Sequence, residues 1–241
     1  MMIGFFILLF VVALLYSSVG HGGASGYLAL MAIFGFAPEL MKSSALILNL
    51  FVSLTSFLLF FKGGHFNWKL FLPFALTSVP ASFWGSTIHI DPVLYKKILG
   101  VLLLFPVIRF FFYPNPSAEN RKPSNFLLSL VIGASIGFLS GLIGIGGGII
   151  LSPILLLLMW SDQKQTAAIS ALFIFVNSLA GLAGQYSKGI YVDSSMFGFV
   201  VVAFTGGLVG AWLGSLKFDQ RILKYTLATV LLMASLKLIL T

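Results

Sequence analysis

Long apolar runs separated by short polar breaks set the rhythm of this chain. Eight runs approach the length of a bilayer crossing: 2–19, 43–61, 70–88, 98–113, 126–143, 166–186, 196–216 and 222–240. A spanning helix needs about 20 apolar residues, so the fourth run is short unless it begins near Val93. Two further runs, 27–36 and 149–160, are too short to cross comfortably, and each directly follows a glycine-rich stretch. The first run lacks the basic leader and small-residue cleavage pattern of a secretory signal and is read as a retained membrane segment. Polar residues gather at 114–125, PNPSAENRKPSN, a solvated connection that divides the chain nearly in half.

The two halves resemble each other. Gly20 to Ala24 reads GHGGA and Gly144 to Gly148 reads GIGGG; Ser44-Ala45-Leu46 matches Ser170-Ala171-Leu172, and Lys62-Gly63 matches Lys188-Gly189. Gly85-Ser86 matches Gly214-Ser215, Asp91 with Lys96 matches Asp219 with Lys224, and the offset drifts only from 124 to 129 residues. Each half therefore holds a long segment, a glycine break, a short segment and three more long segments. If the short segments are independent elements, each half has an odd count and the repeats are inverted across the membrane. If each completes a broken helix, the repeats are parallel. Inversion is the preferred reading. The expected fold is an all-α integral membrane protein with 8 long transmembrane helices and two short broken or re-entrant segments, arranged as two homologous repeats, 1–113 and 126–241, around the linker 114–125.

Composition agrees with lipid as the solvent. Of 241 residues 59% are hydrophobic and 8% charged, against about a quarter charged in soluble domains. The net charge of +8 would otherwise raise the question of nucleic acid, but the basic residues fall singly or in pairs between apolar runs, as in membrane loops. The absence of cysteine excludes disulfides, thiolate catalysis and cysteine-ligated metals. Trp68, Trp84, Trp160 and Trp212, near segment ends, read as interfacial anchors.

Candidate chemistry sits at the glycine breaks. Backbone freed from a helix at membrane depth cannot face hydrocarbon, so a break there lines a cavity or is buried in protein. A short helix beginning at such a break presents free N–H groups and the positive end of its dipole to an anion. The competing reading makes these glycines simple packing devices. The acidic residues Glu39, Asp91, Glu119, Asp162, Asp193 and Asp219 all fall in expected loops or at segment ends. A cation carrier usually keeps a carboxylate in the membrane interior, so this placement favours an anion. Neutral polar residues inside the runs include Asn49, Ser53, Thr55, Ser56, Asn177, Ser178 and Gln185. Most of them are expected to bond between helices, with Asn49 and Asn177 the exceptions kept for substrate. The expected substrate contacts are His21, Gly22, Gly23, Ala24 and Ser25 at the first break, Gly146, Gly147 and Gly148 at the second, and Asn49 with Asn177. His21 titrates near neutral pH and suits either a substrate contact or proton coupling, although Ile145 stands at the matching position. His65 and His89 are read as ordinary loop histidines.

At GLIGIGGGIILSPILL, Gly141 to Leu156, and AAISALFIFVNSLAG, Ala167 to Gly181, the chain resembles the TauE/SafE family of sulfite and organosulfonate exporters. The resemblance spans essentially the whole chain and rests on Gly144, Gly146, Gly147, Gly148 and Pro153, with Gly20, Gly22 and Gly23 as the weaker first copy. It implies a carrier in the cytoplasmic membrane that moves small sulfur oxyanions or sulfonated organic acids outward, driven by an ion gradient. The implied partners are a small anionic substrate, a coupling ion such as a proton, and the bilayer. A homodimer is left open, and no nucleic acid, cofactor, metal or catalytic residue is expected.

Two alternatives stand beside the carrier. An anion channel of the same architecture would use the same breaks without alternating access. An intramembrane serine protease would use Ser25 in Gly23-Ala24-Ser25-Gly26 as nucleophile. The second break repeats the glycines without that serine, which ties the pattern to backbone geometry.

Overall fold

The computed structural model describes residues 2–18, 23–112, 121–189, 196–215, 231–232 and 235–240. The described residues are helical, with no strand. They form α1 (Met2–Ser18), α2 (Ala24–Ile33), α3 (Pro38–Lys62), α4 (Trp68–Thr87), α5 (Pro92–Phe112), α6 (Phe126–Ile143), α7 (Gly148–Leu157), α8 (Gln163–Ser187) and α9 (Met196–Ser215). Residues 235–240 are helical as well. Among the described residues α3, α6 and α8 are both long and apolar enough to cross a membrane. The short fourth run lengthens into the 21 residues of α5, which starts at Pro92, one residue before the Val93 start it was given.

The surface is apolar and the interior carries the polar groups, the reverse of a soluble globule. Ile3, Ile7, Leu127, Val131 and Phe197 point outward, while Asn49, Asn177, Gln185 and many serines are buried. Trp84 is exposed as an anchor should be, but Trp160 is buried and its ring lies 6.2 Å from Phe74. The anchoring expected of Trp160 therefore fails: the turn after α7 folds inward and makes it part of the core. The side chain of Trp212 lies outside the described residues.

Helix ends divide into two kinds. Asn67 caps α4 by accepting from the Lys69 and Leu70 amides, Asn125 caps α6 through Leu128 N–H, and Asp162 caps α8 through Gln165 N–H. The ten-residue helices α2 and α7 instead begin at Gly23 and Gly147, both left-handed at φ 81° and 78° and neither offering a side-chain cap. They also end alike. Phe36 N–H reaches Met31 O, and Trp160 N–H reaches Leu155 O, each with a left-handed residue just before, Gly35 at φ 76° and Met159 at 57°. This is the Schellman closure, built twice.

Close packing sets the directions. α3 and α8 touch at Ser43 with Gln185, Leu46 with Gly181, and Asn49 with Ser178. Numbers rise on one helix as they fall on the other, so the two run antiparallel. α4 and α6 run parallel, because Gly133, Gly137 and Gly141 lie on the backbone of Phe74, Ser78 and Ser82 in turn. α1 and α9 do the same through Gly206 on Phe10 and Gly210 on Leu14. A glycine every fourth position removes the side chains that would hold the axes apart.

Candidate functional site

The two glycine breaks meet. Tyr16, Gly23, Ala24 and Ser25 from the first half and Ile145, Ile149 and Ile174 from the second enclose one small cavity of about 10 Å³, room for about one water. The first N–H groups of a helix have no intrahelical partner, and at α2 the cap residue is a glycine without a side chain to satisfy them. Hydroxyls gather beside them. Tyr16 Oη and Ser25 Oγ are 2.8 Å apart and buried, and Tyr27 Oη packs over Gly23 and has no hydrogen-bond partner among the described residues. The described partner of Ser25 is thus a phenol, which cannot act as the base a serine nucleophile needs at neutral pH.

The second break is flanked by polar groups on its other side. A Cβ on Gly146 would lie 2.7 Å from Asn49 Nδ2 and 3.2 Å from Ser178 Oγ. Asn49 Nδ2 donates to Ser178 Oγ at 3.3 Å across the α3/α8 seam, while Asn49 Oδ1 is buried without a partner. The side chain of Ile174 separates this polar cluster from the small cavity, touching both Gly146 and the cavity wall. At its far end the break begins at Gly144, whose place for a Cβ is taken by Lys42 of α3 at 3.0 to 3.1 Å.

The expected residues are therefore distributed as follows. Gly23, Ala24 and Ser25 line the small cavity, and Gly146 joins Asn49. Gly147 turns toward Ile136 and Phe173, and Gly148 packs on Ile174 and Ser170. The main-chain carbonyl of Asn177 accepts from Ser82 Oγ of α4 at 2.8 Å, its side-chain Nδ2 donates to Phe173 O of its own helix, and its Oδ1 is buried without a partner among the described residues. His21 and Gly22 lie outside the described residues. Of the neutral polar residues expected to bond between helices, Gln185 and Ser178 do so, with Ser43 and with Asn49, whereas Ser53 and Thr55 bond to carbonyls of their own helix. Tyr16, Tyr27, Ile174 and Lys42 were not foreseen as neighbours of the site. Tyr16 and Tyr27 could have been noticed as the phenols flanking the first break; nothing in the spacing marks Ile174.

A wider opening lies at one end of the bundle. A cavity of about 400 Å³ is lined by Glu39, Lys42, Ser43, His89, Gln185 and Lys188, among others. His89 is an exposed loop residue between α4 and α5, as expected, and lines this opening.

Comparison with known proteins matches residues 5–238 to the family described as Sulfite exporter TauE/SafE. The chain belongs to the TauE/SafE family. A probable membrane transporter protein of Sinorhizobium fredii is 35% identical over 98% of this chain and 98% of its own. A second relative, a probable membrane transporter protein of Bacillus subtilis, is 26% identical over 91% of this chain and 92% of its own. A third, from Methanocaldococcus jannaschii, carries the same description and is 32% identical over 72% of this chain and 68% of its own. No solved structure matches the chain. This TauE/SafE protein is a membrane transporter and not an enzyme.

Proposed function

We propose that the protein is a secondary carrier that exports a small anion across the cell membrane, a sulfur oxyanion such as sulfite or an organosulfonate such as sulfoacetate. The observation that carries this reading is the convergence of the two glycine breaks, where α2 and α7 begin at left-handed glycines without side-chain caps. α4, α6 and α8 are capped by Asn or Asp side chains, whereas α2 and α7 start at glycines with no side-chain cap, which suits an anion as the missing cap. Tyr16, Ser25 and Asn49 add neutral donors. The partnerless Oδ1 atoms of Asn49 and Asn177 suit a solute that also carries a proton, and hydrogen sulfite offers oxygens and a hydroxyl together.

Alternating access is the mechanism we assign, on inverted repeats. Support comes from α2 and α7 and from α3 and α8, which match in length at 10 and 25 residues. The matched helices α3 and α8 run antiparallel, as inversion requires, and the α4/α6 pair corresponds to α9/α1. The small volume between the breaks corresponds to a closed state that must widen to hold an anion. An open channel would need a continuous path, and the enclosed site favours the carrier.

The test is thermal stabilisation of the purified protein by sulfite, sulfate, sulfoacetate, taurine, chloride and carboxylates, followed by sulfite flux in liposomes. A ligand of the folded state raises the melting point by mass action. A rise with sulfur oxyanions or sulfonates, with flux of the same compounds, is expected. A rise only with cations or neutral solutes would overturn the reading.

A further inference from the structure

The 400 Å³ cavity shares no lining residue with the small cavity between the glycine breaks. Its wall combines Lys42 and Lys188 with one opposing carboxylate, Glu39, and adds His89, Ser43 and Gln185. Lys42 is half-buried and fixed: its Nζ donates to Ser86 O at 3.0 Å, which leaves other ammonium protons for a solute. Its main chain lies against Gly144, where the second break begins.

The floor of the cavity leads along the α3/α8 seam. Below Lys42 come the Ser43–Gln185 bond at 2.8 Å, then Leu46 over Gly181, then Asn49 with Ser178 beside Gly146. From Lys42 to Asn49 the helix rises about 10 Å. The other end of the bundle also has an open cavity, lined by Lys69, Arg121 and Lys122 among others. Its cations are exposed, and Arg121 is paired with Asp162. In the register that aligns Ser44 with Ser170, Lys42 corresponds to Ala168, which is fully buried. A lysine seated against a glycine break is described at one end only.

We propose that this cavity is the loading vestibule for the anionic substrate, with Lys42 as the cation that captures it and passes it to the α3/α8 seam. The inference rests on the anion-carrier reading above and extends it by naming the loading face. A cleft with a net positive lining, here two lysines against Glu39, concentrates anions and speeds encounter, so loss of Lys42 acts on capture more than on the later steps.

The experiment measures sulfite flux into liposomes carrying the wild-type protein, K42Q or K42R, at low and high salt. In K42Q the KM for sulfite rises about tenfold with Vmax little changed, and added salt narrows the gap by screening. K42R restores a near-normal KM. An unchanged KM in a folded K42Q, with the wild type moving sulfite, overturns the vestibule and leaves the carrier reading intact. A wild type that moves no anion overturns both. If K42Q does not fold, the exposed pair K188Q with H89Q takes its place, and an unchanged KM there likewise overturns the proposal.

Discussion

Gly35 and Met159 occupy the same left-handed position after the two ten-residue helices, at φ 76° and 57°. A side chain pays about 1 kcal/mol or more for that conformation and glycine does not. Met159→Gly is therefore expected to raise the melting temperature in detergent. Gly35→Ala should lower it, although no atom lies within 4 Å of the added Cβ. A fall with Met159→Gly would show that its side chain contributes more by packing than its backbone costs.

At the first break, Tyr16→Phe leaves the buried Ser25 hydroxyl without its described partner. The expected cost is about 1 kcal/mol of stability, together with weaker stabilisation by sulfite. Ser25→Ala should weaken sulfite stabilisation as well. Undiminished shifts in both variants would remove these hydroxyls from the site.

Ser43 and Gln185 join α3 to α8 beneath the wide cavity. Ser43→Ala, Gln185→Leu and the double variant form a thermodynamic cycle, and direct contact predicts a coupling of about 0.5 kcal/mol or more. Additive melting shifts would mean that the bond contributes nothing specific. Sulfite leak through the single variants reports whether it also serves as a barrier.

Gly141 lies against the backbone of Ser82, which cannot move aside as a side chain can. Gly141→Leu should abolish the folded protein, read by monodisperse yield in detergent. Gly4→Ala, with nothing within 4 Å of its Cβ, should be silent. Equal behaviour of the two would contradict the close α4/α6 approach.

Hydrophobic runs made most of the helices legible, because lipid demands length and apolarity before anything else. The breaks were legible for a similar reason, since GHGGA and GIGGG recur at a fixed separation. What the runs hid was orientation. Residue spacing could not show that the Asn177 amide bonds back to Phe173 of its own helix while Asn49 reaches Gly146, since a helix of this composition is apolar nearly all round. Nor could it show that Gly147 packs on Phe173, so that replacing it would disturb structure as much as any ligand. The vestibule is not legible in the sequence because its walls come from α3, α4, α5, α6 and α8, and Lys42, between Glu39 and Ser43-Ser44, reads there as part of an ordinary polar break.

The glycine-spaced seams have a consequence for synthesis. α4 of the first half packs on α6 of the second, and α1 packs on α9, the last long helix among the described residues. The opening helix must therefore wait in the bilayer, its groove for Gly206 and Gly210 empty, until most of the polypeptide has left the ribosome. Neither half can mature alone, and two fragments severed at the linker should accumulate only when a cell makes both.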